Sequence, residues 1–159
     1  MKTSMRSPTG LVLVAAVIAL PAAAGAQGAA DTTPPVLSNV TISLSSGLPA
    51  QSFSMYYTLS EQAVVKAKFQ RKLPGRKVKK RCRKPTKKRR HKPRCTRYKT
   101  AGSIQTGGFV GPGDASLSFT GAVRNRTLKP GKYRITLTAT DAAKNVSKQK
   151  YLKFKVKKF

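Results

Sequence analysis

The sequence feature that most constrains the fold is a basic stretch at residues 71–99. It contains 17 Lys or Arg in 29 residues, no Asp or Glu, both cysteines of the chain and its single histidine. A segment with so much like charge and so little apolar surface cannot bury itself. The sequence on either side must therefore supply a folded core that carries it.

The flanking segments alternate apolar and polar residues with a period of two, which is typical of half-buried β-strands. The alternating runs cover residues 40–44, 52–59, 65–69, 117–119, 133–140 and 152–157. A further strand is predicted near residues 98–104, and Gly-, Pro- and Asn-containing turns separate the runs. The sequence therefore predicts an all-β domain of about seven strands, arranged as a β-sandwich.

The polar positions of these runs indicate what the outer surfaces carry. Lys66 and Lys68 alternate with apolar residues before the basic stretch, and Lys153, Lys155 and Lys157 do so near the end of the chain. We therefore expect each sheet to bury one apolar face and to expose one cationic face.

The segment LKPGKY at residues 128–133 combines a turn with the start of a predicted strand. It resembles the tyrosine corner of Greek-key sandwiches, in which a tyrosine hydroxyl bonds to backbone a few residues upstream. Pro130 and Gly131 would make the turn, and the Tyr133 hydroxyl would satisfy a backbone group at the corner. The alternative is an ordinary core tyrosine that follows a turn.

Three segments extend the resemblance to a family, namely DTTPPVLSNVTIS, YTLSEQAVVKAKFQR and LKPGKYRITLTATDAAKNVS. Together they resemble the Ig-like or fibronectin type III-like domains of secreted and surface-exposed bacterial proteins. The resemblance implies a single Greek-key β-sandwich over residues 36–159, and modules of this kind usually act as spacers, stalks or adhesive domains. The chain has no Trp, and its cysteines lack the spacing of the inter-sheet bridge in antibody domains, so the resemblance concerns the sandwich architecture alone.

Residues 1–26 are predicted to be a secretory signal peptide. Lys2 and Arg6 give a positive start, residues 11–20 form an apolar run, and small residues at 24–26 fit a cleavage site. The apolar run is too short to span a bilayer as a mature helix, although an uncleaved membrane anchor is the alternative. We expect a linker at residues 27–35 and no membrane span in the mature chain. We also expect a protein that is secreted, extracellular or associated with the cell wall.

Export changes how the two cysteines are interpreted, because an oxidising compartment favours disulfides. Cys82 and Cys95 are predicted to close a short loop at the far end of a basic hairpin insertion at residues 71–99, after a turn at residues 73–76. Such a bridge is worth about 3 kcal/mol in the chain-entropy model. The alternative is a metal site of Cys82, His91 and Cys95, but that spacing matches no common zinc pattern and the surrounding cations oppose a divalent ion.

The charge balance predicts a polyanionic partner. The chain has 33 basic and 4 acidic residues, for a formal charge of +29, and such a surface concentrates anions whatever its fold. The partners expected outside a cell are wall polymers, acidic glycans, lipid headgroups and extracellular nucleic acid bound without sequence preference. The alternative is a solvated basic loop on a purely structural spacer. The residues predicted to bind the polyanion are Arg76, Lys77, Lys79, Lys80, Arg81, Arg83, Lys84, Lys87, Lys88, Arg89, Arg90, Lys92 and Arg94.

The residue inventory argues against an enzyme and predicts no cofactor and no metal. Acid–base or nucleophilic catalysis needs His, carboxylates or an activated nucleophile close together, whereas the four carboxylates are spread singly along the sequence and His91 lies among cations. Asp141 and Asn145 resemble a calcium ligand pair, but they fit better as the ends of a hairpin turn. Sequence-specific reading of nucleic acid is also not expected, because residues 72–97 contain no aromatic side chain to stack on a base.

Overall fold

The computed structural model describes residues 31–49, 51–124 and 126–158. The predicted signal peptide and the start of the predicted linker lie outside these residues, and residues 31–35 form no strand. Within the described ranges the chain forms β-strands and one short 3₁₀ helix, Lys87–Arg89. The strands are β1 Leu37–Ile42, β2 Ser46–Gly47, β3 Ser52–Leu59, β4 Val64–Val78, β5 Arg81–Arg83, β6 Arg94–Gln105, β7 Gly113–Thr120, β8 Ala122–Val123, β9 Arg126–Thr127, β10 Gly131–Thr140 and β11 Lys150–Val156.

Two sheets make up most of the molecule. One is three-stranded and antiparallel, in the order β1-β3-β7. The other is six-stranded, in the order β2-β11-β10-β4, with β6 alongside β4 and β5 at the far end of β4. A small hairpin, β8-β9, pairs with neither sheet, although Val123 of β8 is buried in the core. The predicted all-β fold is therefore confirmed, and the predicted strand near residues 98–104 lies within β6.

The core lies between the two sheets, which both contribute its aromatic centre. Phe53 and Phe119 come from the three-stranded sheet, and Phe69 and Phe154 from the six-stranded one. The ring centroids of Phe53 and Phe154 lie 4.6 Å apart, and those of Phe69 and Phe119 lie 4.7 Å apart. Such edge-to-face pairs add to the stabilisation from apolar burial. The alternating apolar residues of β3, β4 and β10 point inward as predicted.

Leu44 departs from the predicted pattern, because it is exposed. The pairing of β1 with β3 shifts between Ser38 and Thr41, where Asn39 has a φ of 49°, and β1 ends at Ile42. Val40 and Ile42, which follow the irregularity or lie in it, still pack against the core, so Leu44 is exposed because the strand has already ended. The bulge explains why Leu37, at the start of β1, is also buried.

The corner before β10 has the hydrogen bond that its sequence predicts. The Tyr133 hydroxyl donates to the Lys129 carbonyl oxygen at 2.6 Å, and the Arg71 guanidinium donates to the Pro130 carbonyl oxygen. Gly131 has a φ of 149°, and a Cβ at this position would press against the Arg71 side chain. The turn therefore needs a glycine, and both of its exposed carbonyl groups are satisfied by side chains.

The two sheets differ in what they expose. The strands of the three-stranded sheet contain no Lys or Arg, and the outward residues of β3 and β7 are mainly Ser and Thr. Several of these bond to one another, as do the Ser54 and Ser118 hydroxyls at 2.8 Å. The prediction of a cationic outer face is therefore wrong for this sheet. In β4, β6, β10 and β11 the basic residues are Lys66, Lys68, Arg71, Lys72, Arg76, Lys77, Arg94, Arg97, Lys99, Lys132, Arg134, Lys150, Lys153 and Lys155.

β4 continues far beyond the sandwich. Its pairing with β10 ends at Arg71, whereas its pairing with β6 continues to Arg76. The turn predicted at residues 73–76 is therefore wrong, because these residues are paired strand. Pro74 is tolerated because β4 has a partner on one side only between Arg71 and Arg76, so the missing N–H breaks no ladder. We refer to residues 72–98 as the ribbon and to residues 79–93 as its tip.

Candidate functional site

The tip of the ribbon is folded back and closed by a disulfide. After a turn at Lys79 and Lys80, β5 returns beside β4 and pairs Cys82 with Lys77. On the other side of β4, Cys95 pairs with Gly75. Cys82 and Cys95 form the predicted bridge, with a Cα–Cα distance of 6.0 Å. Both thiols are consumed, so the alternative metal site with His91 is excluded.

The disulfide depends on a glycine in the strand that it crosses. Gly75 is buried, and a Cβ built on it would collide with the Cys82 sulfur and lie 3.2 Å from the Cys95 sulfur. Both sulfur atoms therefore lie directly over the backbone of β4. A side chain at this position would displace the bridge, because there is no space between the sulfur atoms and the strand.

Two arginines of the predicted set are half-buried because they bond to nearby backbone. Arg76 donates from Nη1 to the Lys92 carbonyl oxygen at 2.9 Å, and Arg89 donates from Nη1 to that of Lys84 at 3.3 Å. Near the base, Arg97 donates from Nε to the Pro74 carbonyl oxygen at 3.2 Å. The Arg76 bond joins the segment between the cysteines to β4, the Arg89 bond lies within that segment, and the Arg97 bond joins β6 to β4. All three oppose the repulsion among the charges.

The remaining residues of the predicted binding set are all exposed. They lie on the end of β4, on β5, in the 3₁₀ helix, at the start of β6 and in the segments that join these elements. The ribbon contains no carboxylate, so its own sequence offers no counter-ion. The exposed members are Lys77, Lys79, Lys80, Arg81, Arg83, Lys84, Lys87, Lys88, Arg90, Lys92 and Arg94.

Three of the four carboxylates gather at the opposite end of the sandwich. Asp31, Glu61 and Asp141 bring one oxygen each to within 4.8 Å of one another. Asp141 is buried and accepts hydrogen bonds from the backbone N–H and the side-chain amide of Asn145, at 2.8 and 2.9 Å. The predicted turn is thereby confirmed. The carboxylates are spread singly in sequence but not in space, because they come from different non-strand segments that meet at one end of the strands.

The clustering perturbs one of these carboxyl groups. Partial desolvation, followed by the neighbouring charges of Asp31 and Asp141, raises the pKa of Glu61 above its ordinary value of 4.5. Both causes disfavour the ionised form. The cluster is thus a region of carboxylate repulsion in an otherwise cationic molecule.

The cationic surface continues from the ribbon onto the outer face of the six-stranded sheet. A groove of about 500 Å³ lies there at the base of the ribbon. Its basic residues come from three adjacent strands, and Tyr98 and Tyr151 lie among them. The groove had no counterpart in the predicted site, because its residues come from distant parts of the sequence. The lining cations are Lys72, Lys132, Arg134, Lys153 and Lys155.

A second cationic groove lies at the ribbon base, beside the β8-β9 hairpin. It has a volume of about 350 Å³ and contains Tyr133 at one side. No carboxylate lines either groove, so both add to the anion-attracting surface. The basic residues lining this groove are Arg71, Arg97, Lys99, Arg126 and Lys129.

Among the described residues, no helix is long and apolar enough to cross a membrane. No protein-family model matches the sequence, and no curated protein matches it. Among solved structures, the chain is similar to Spo0M, a sporulation control protein from Bacillus subtilis, at 9% identity and a TM-score of 0.51. The match covers 80% of this chain and 51% of Spo0M, so the chain spans about half the length of that protein. At this identity the similarity concerns the fold alone.

Proposed function

We propose that this chain is a secreted, non-catalytic module that displays a cationic ribbon to anionic polymers of the cell envelope or surface, such as a wall polymer or an acidic glycan. The observation that carries the proposal is the ribbon itself. It is a paired, disulfide-closed projection on which eleven of the thirteen predicted binding residues are exposed and which contains no carboxylate. Holding so many like charges close together costs electrostatic free energy. An anionic partner would lower this cost by neutralising the charges.

The carrier of the ribbon is a Greek-key sandwich of the Ig-like or fibronectin type III-like kind. Two observations support this assignment. The principal strands are ordered β1-β3-β7 in one sheet and β11-β10-β4-β6 in the other, and a tyrosine bonds back across the corner before β10. In this arrangement the ribbon is an extension of two neighbouring strands of the six-stranded sheet.

Binding is electrostatic and does not depend on the sequence of the partner. Each Lys or Arg that neutralises an anionic group releases condensed counterions, so affinity falls steeply with salt. About six such ion pairs lose on the order of a thousandfold in affinity between 50 and 200 mM salt. The exposed cations of the tip are more numerous than this, so the ribbon alone suffices for the expected salt dependence.

The absence of catalysis is supported by where the candidate groups lie. His91 is exposed at the tip among Lys and Arg, and the cluster of Asp31, Glu61 and Asp141 lies at the other end of the molecule. A general acid or base must lie within hydrogen-bond reach of its partner. The tip therefore lacks the close set of groups that such chemistry needs.

The test is retention of the mature protein on a heparin-type or teichoic-type polyanion column. Replacement of residues 87–90 (Lys-Lys-Arg-Arg) by Ser should lower the salt concentration at elution. It should also reduce the slope of log affinity against log salt by about 0.9 for each anionic group that the variant no longer neutralises. The matched control replaces four exposed lysines of the end away from the ribbon by Ser, for the same change in net charge. The control residues are Lys66, Lys144, Lys148 and Lys150.

Equal loss of retention in the tip variant and in the control variant would mean that only net charge matters, which contradicts display by the ribbon. A purely structural spacer or stalk with a solvated basic loop is the second candidate, supported by the sandwich architecture. A spacer of this kind predicts that no polyanion slows hydrogen exchange at the tip. Hydrogen exchange with and without the polyanion separates the two candidates, because only a bound tip gains protection.

A further inference from the structure

The groove on the outer face of the six-stranded sheet contains what the ribbon tip lacks, namely aromatic rings. Tyr98 and Tyr151 are exposed to 40% and 55%, and the strand pairing places them on the cationic face. Tyr98 is the partner of Lys72 across β4 and β6, and Tyr151 is the partner of Thr136 across β10 and β11. Large aromatic side chains exposed together within one charged groove indicate a surface that meets a partner.

Arg134 joins the two tyrosines. The carbon atom of its guanidinium lies 3.9 Å from the ring centre of Tyr98 and 5.1 Å from that of Tyr151. The same guanidinium donates from Nε and Nη2 to the Gln70 Oε1 atom, at 3.2 and 2.8 Å. Cation–π contacts and paired hydrogen bonds therefore fix this side chain before any ligand arrives. Among the described residues only Gln70 accepts from it, so its Nη1 atom keeps its N–H groups for a ligand.

Further basic residues surround Arg134 and the two tyrosines. Lys153 is the partner of Arg134 across β10 and β11, and Lys155 is the partner of Lys132. Lys72 also lines the groove and is the first residue of the ribbon. Alternate residues of one strand repeat at about 6.6–6.8 Å. The cations thus form rows along the sheet that lead from the tyrosines to the ribbon.

We infer that this groove binds single-stranded nucleic acid without sequence preference, with bases stacked on the parts of the Tyr98 and Tyr151 rings that Arg134 leaves exposed and phosphates held by Arg134 and the surrounding lysines. The inference rests on the proposed function in one respect, because the ribbon supplies the general attraction for polyanions. A positive groove with exposed aromatic rings is the combination by which proteins bind single strands irrespective of sequence. Wall polymers and polyphosphate offer no π-face, and the bases of a duplex are already stacked on one another.

The test compares two fluorescently labelled oligonucleotides of equal length and charge, an oligothymidylate of about 20 nucleotides and an abasic strand of the same backbone. The wild-type protein should bind the thymidylate more tightly, by about fivefold to about a hundredfold per stacked base. Tyr98→Ala and Tyr151→Ala should each reduce this preference, and Tyr98→Phe and Tyr151→Phe should retain it. Tyr56→Ala is the matched control, since Tyr56 is 49% exposed on the other sheet. It should leave the preference unchanged.

The outcomes separate this inference from the proposed function. Replacement of residues 87–90 by Ser should weaken both oligonucleotides by the same factor, so that the preference for bases survives the loss of tip affinity. Equal binding of the two strands by the wild type would overturn the inference and leave the ribbon proposal intact. So would a preference that survives both Tyr→Ala changes. If the tyrosine variants instead lose affinity for a heparin-type glycan, the occupant of the groove is an acidic glycan and the inference is wrong.

Discussion

The outer faces of the two sheets share one core but present different chemistry to the solvent. The three-stranded sheet exposes hydroxyl groups and carries no Lys or Arg on its strands, whereas the six-stranded sheet carries cations on each of its four long strands. Burial fixes only the inward residue of each alternating pair. The outward residues are free to vary, and here they differ systematically between the sheets. The charge of the chain is therefore a property of one side of the molecule.

Under the proposed function, this difference predicts that affinity for a polyanion depends on the position of the charges in addition to their total. A protein with evenly spread charges would attract polyanions from every direction, and its affinity would follow its net charge. In this chain the cations of one sheet continue into the ribbon, so a polymer can follow them without crossing a neutral surface. The comparison can be tested by moving charge from one side to the other.

The largest effect is expected from such a transposition. Residues 87–90 are replaced by Ser, and four exposed residues of the neutral sheet, Thr41, Ser52, Ser116 and Ser118, are replaced by Lys. Net charge stays the same, but the tip is deprived of four cations. Affinity for a heparin-type polymer at about 50 mM salt should fall far below that of wild type, and the slope of log affinity against log salt should fall by up to about 3.6, at about 0.9 for each of the four cations, as measured by titration.

The control for the transposition carries only the four new lysines and should bind as tightly as wild type or slightly more tightly. A thermal melt of each variant should remain cooperative, because the replaced residues are outside the core. Wild-type affinity of the transposed protein would show that net charge alone determines binding, and the contrast between the faces would then have no functional meaning.

The next largest effect concerns the stability of the tip relative to the core. Cys82→Ser combined with Cys95→Ser should destabilise the closed tip by about 3 kcal/mol. Hydrogen exchange at residues 79–93 should accelerate about a hundredfold, because about 1.4 kcal/mol corresponds to a factor of ten. The amides of β3 and β10 should keep their protection, since the bridge does not contact the core. Equal acceleration in the core would mean that ribbon and sandwich unfold as one unit.

A smaller effect compares one buried tyrosine from each sheet. The Tyr133 hydroxyl in the six-stranded sheet donates to Lys129, whereas the buried Tyr57 hydroxyl in the three-stranded sheet has no hydrogen-bond partner among the described residues. Tyr133→Phe should cost about 1 kcal/mol of unfolding free energy. Tyr57→Phe should be neutral or stabilising, because it removes an unsatisfied polar group. Urea denaturation of both variants measures the difference, and equal losses would contradict this interpretation of the corner.

The smallest effect concerns the carboxylate cluster and its pH dependence. A pKa raised in the folded state means that the folded protein binds the Glu61 proton more tightly than the unfolded chain. Stability should therefore fall as pH rises from about 4.5 through the higher pKa of the folded state. Glu61→Gln should remove this fall and raise the melting temperature near neutral pH. The advantage should vanish at about pH 3.5, where both side chains are neutral, and a variant less stable than wild type at neutral pH would contradict the repulsion.

Most of the fold could be predicted because it depends on local alternation. The inward residues of β3, β4, β10 and β11 follow from a period of two, and the corner at Tyr133 follows from a short motif. Leu44 could not be placed, because the end of β1 at Ile42 is set by its pairing with β3. The continuity of β4 through Pro74 and Gly75 could not be predicted from the sequence either. Both residues normally mark turns, and only the one-sided pairing and the overlying disulfide explain them here.

The site could be predicted only in part, for a related reason. The tip is contiguous in sequence, so its cations and its disulfide could be predicted together. The groove around Arg134 combines β4, β6, β10 and β11, and the Asp31–Glu61–Asp141 cluster combines three separate segments. Neither set has a spacing that could reveal it. The only signal in the sequence was the presence of two tyrosines, Tyr98 and Tyr151, at or beside the starts of predicted strands and close to Lys and Arg residues.

The placement of the carboxylate cluster has a consequence for how the molecule approaches a surface. Glu61 and Asp141 lie at the end of the strands opposite the ribbon, beside Asp31 at the beginning of the described chain. The molecule therefore has an electric dipole moment directed along its strands. In the field of an anionic surface the dipole aligns, and the protein arrives with its tip foremost. Asp31 and its neighbouring carboxylates are then held away from the surface, at a height set by the length of the domain.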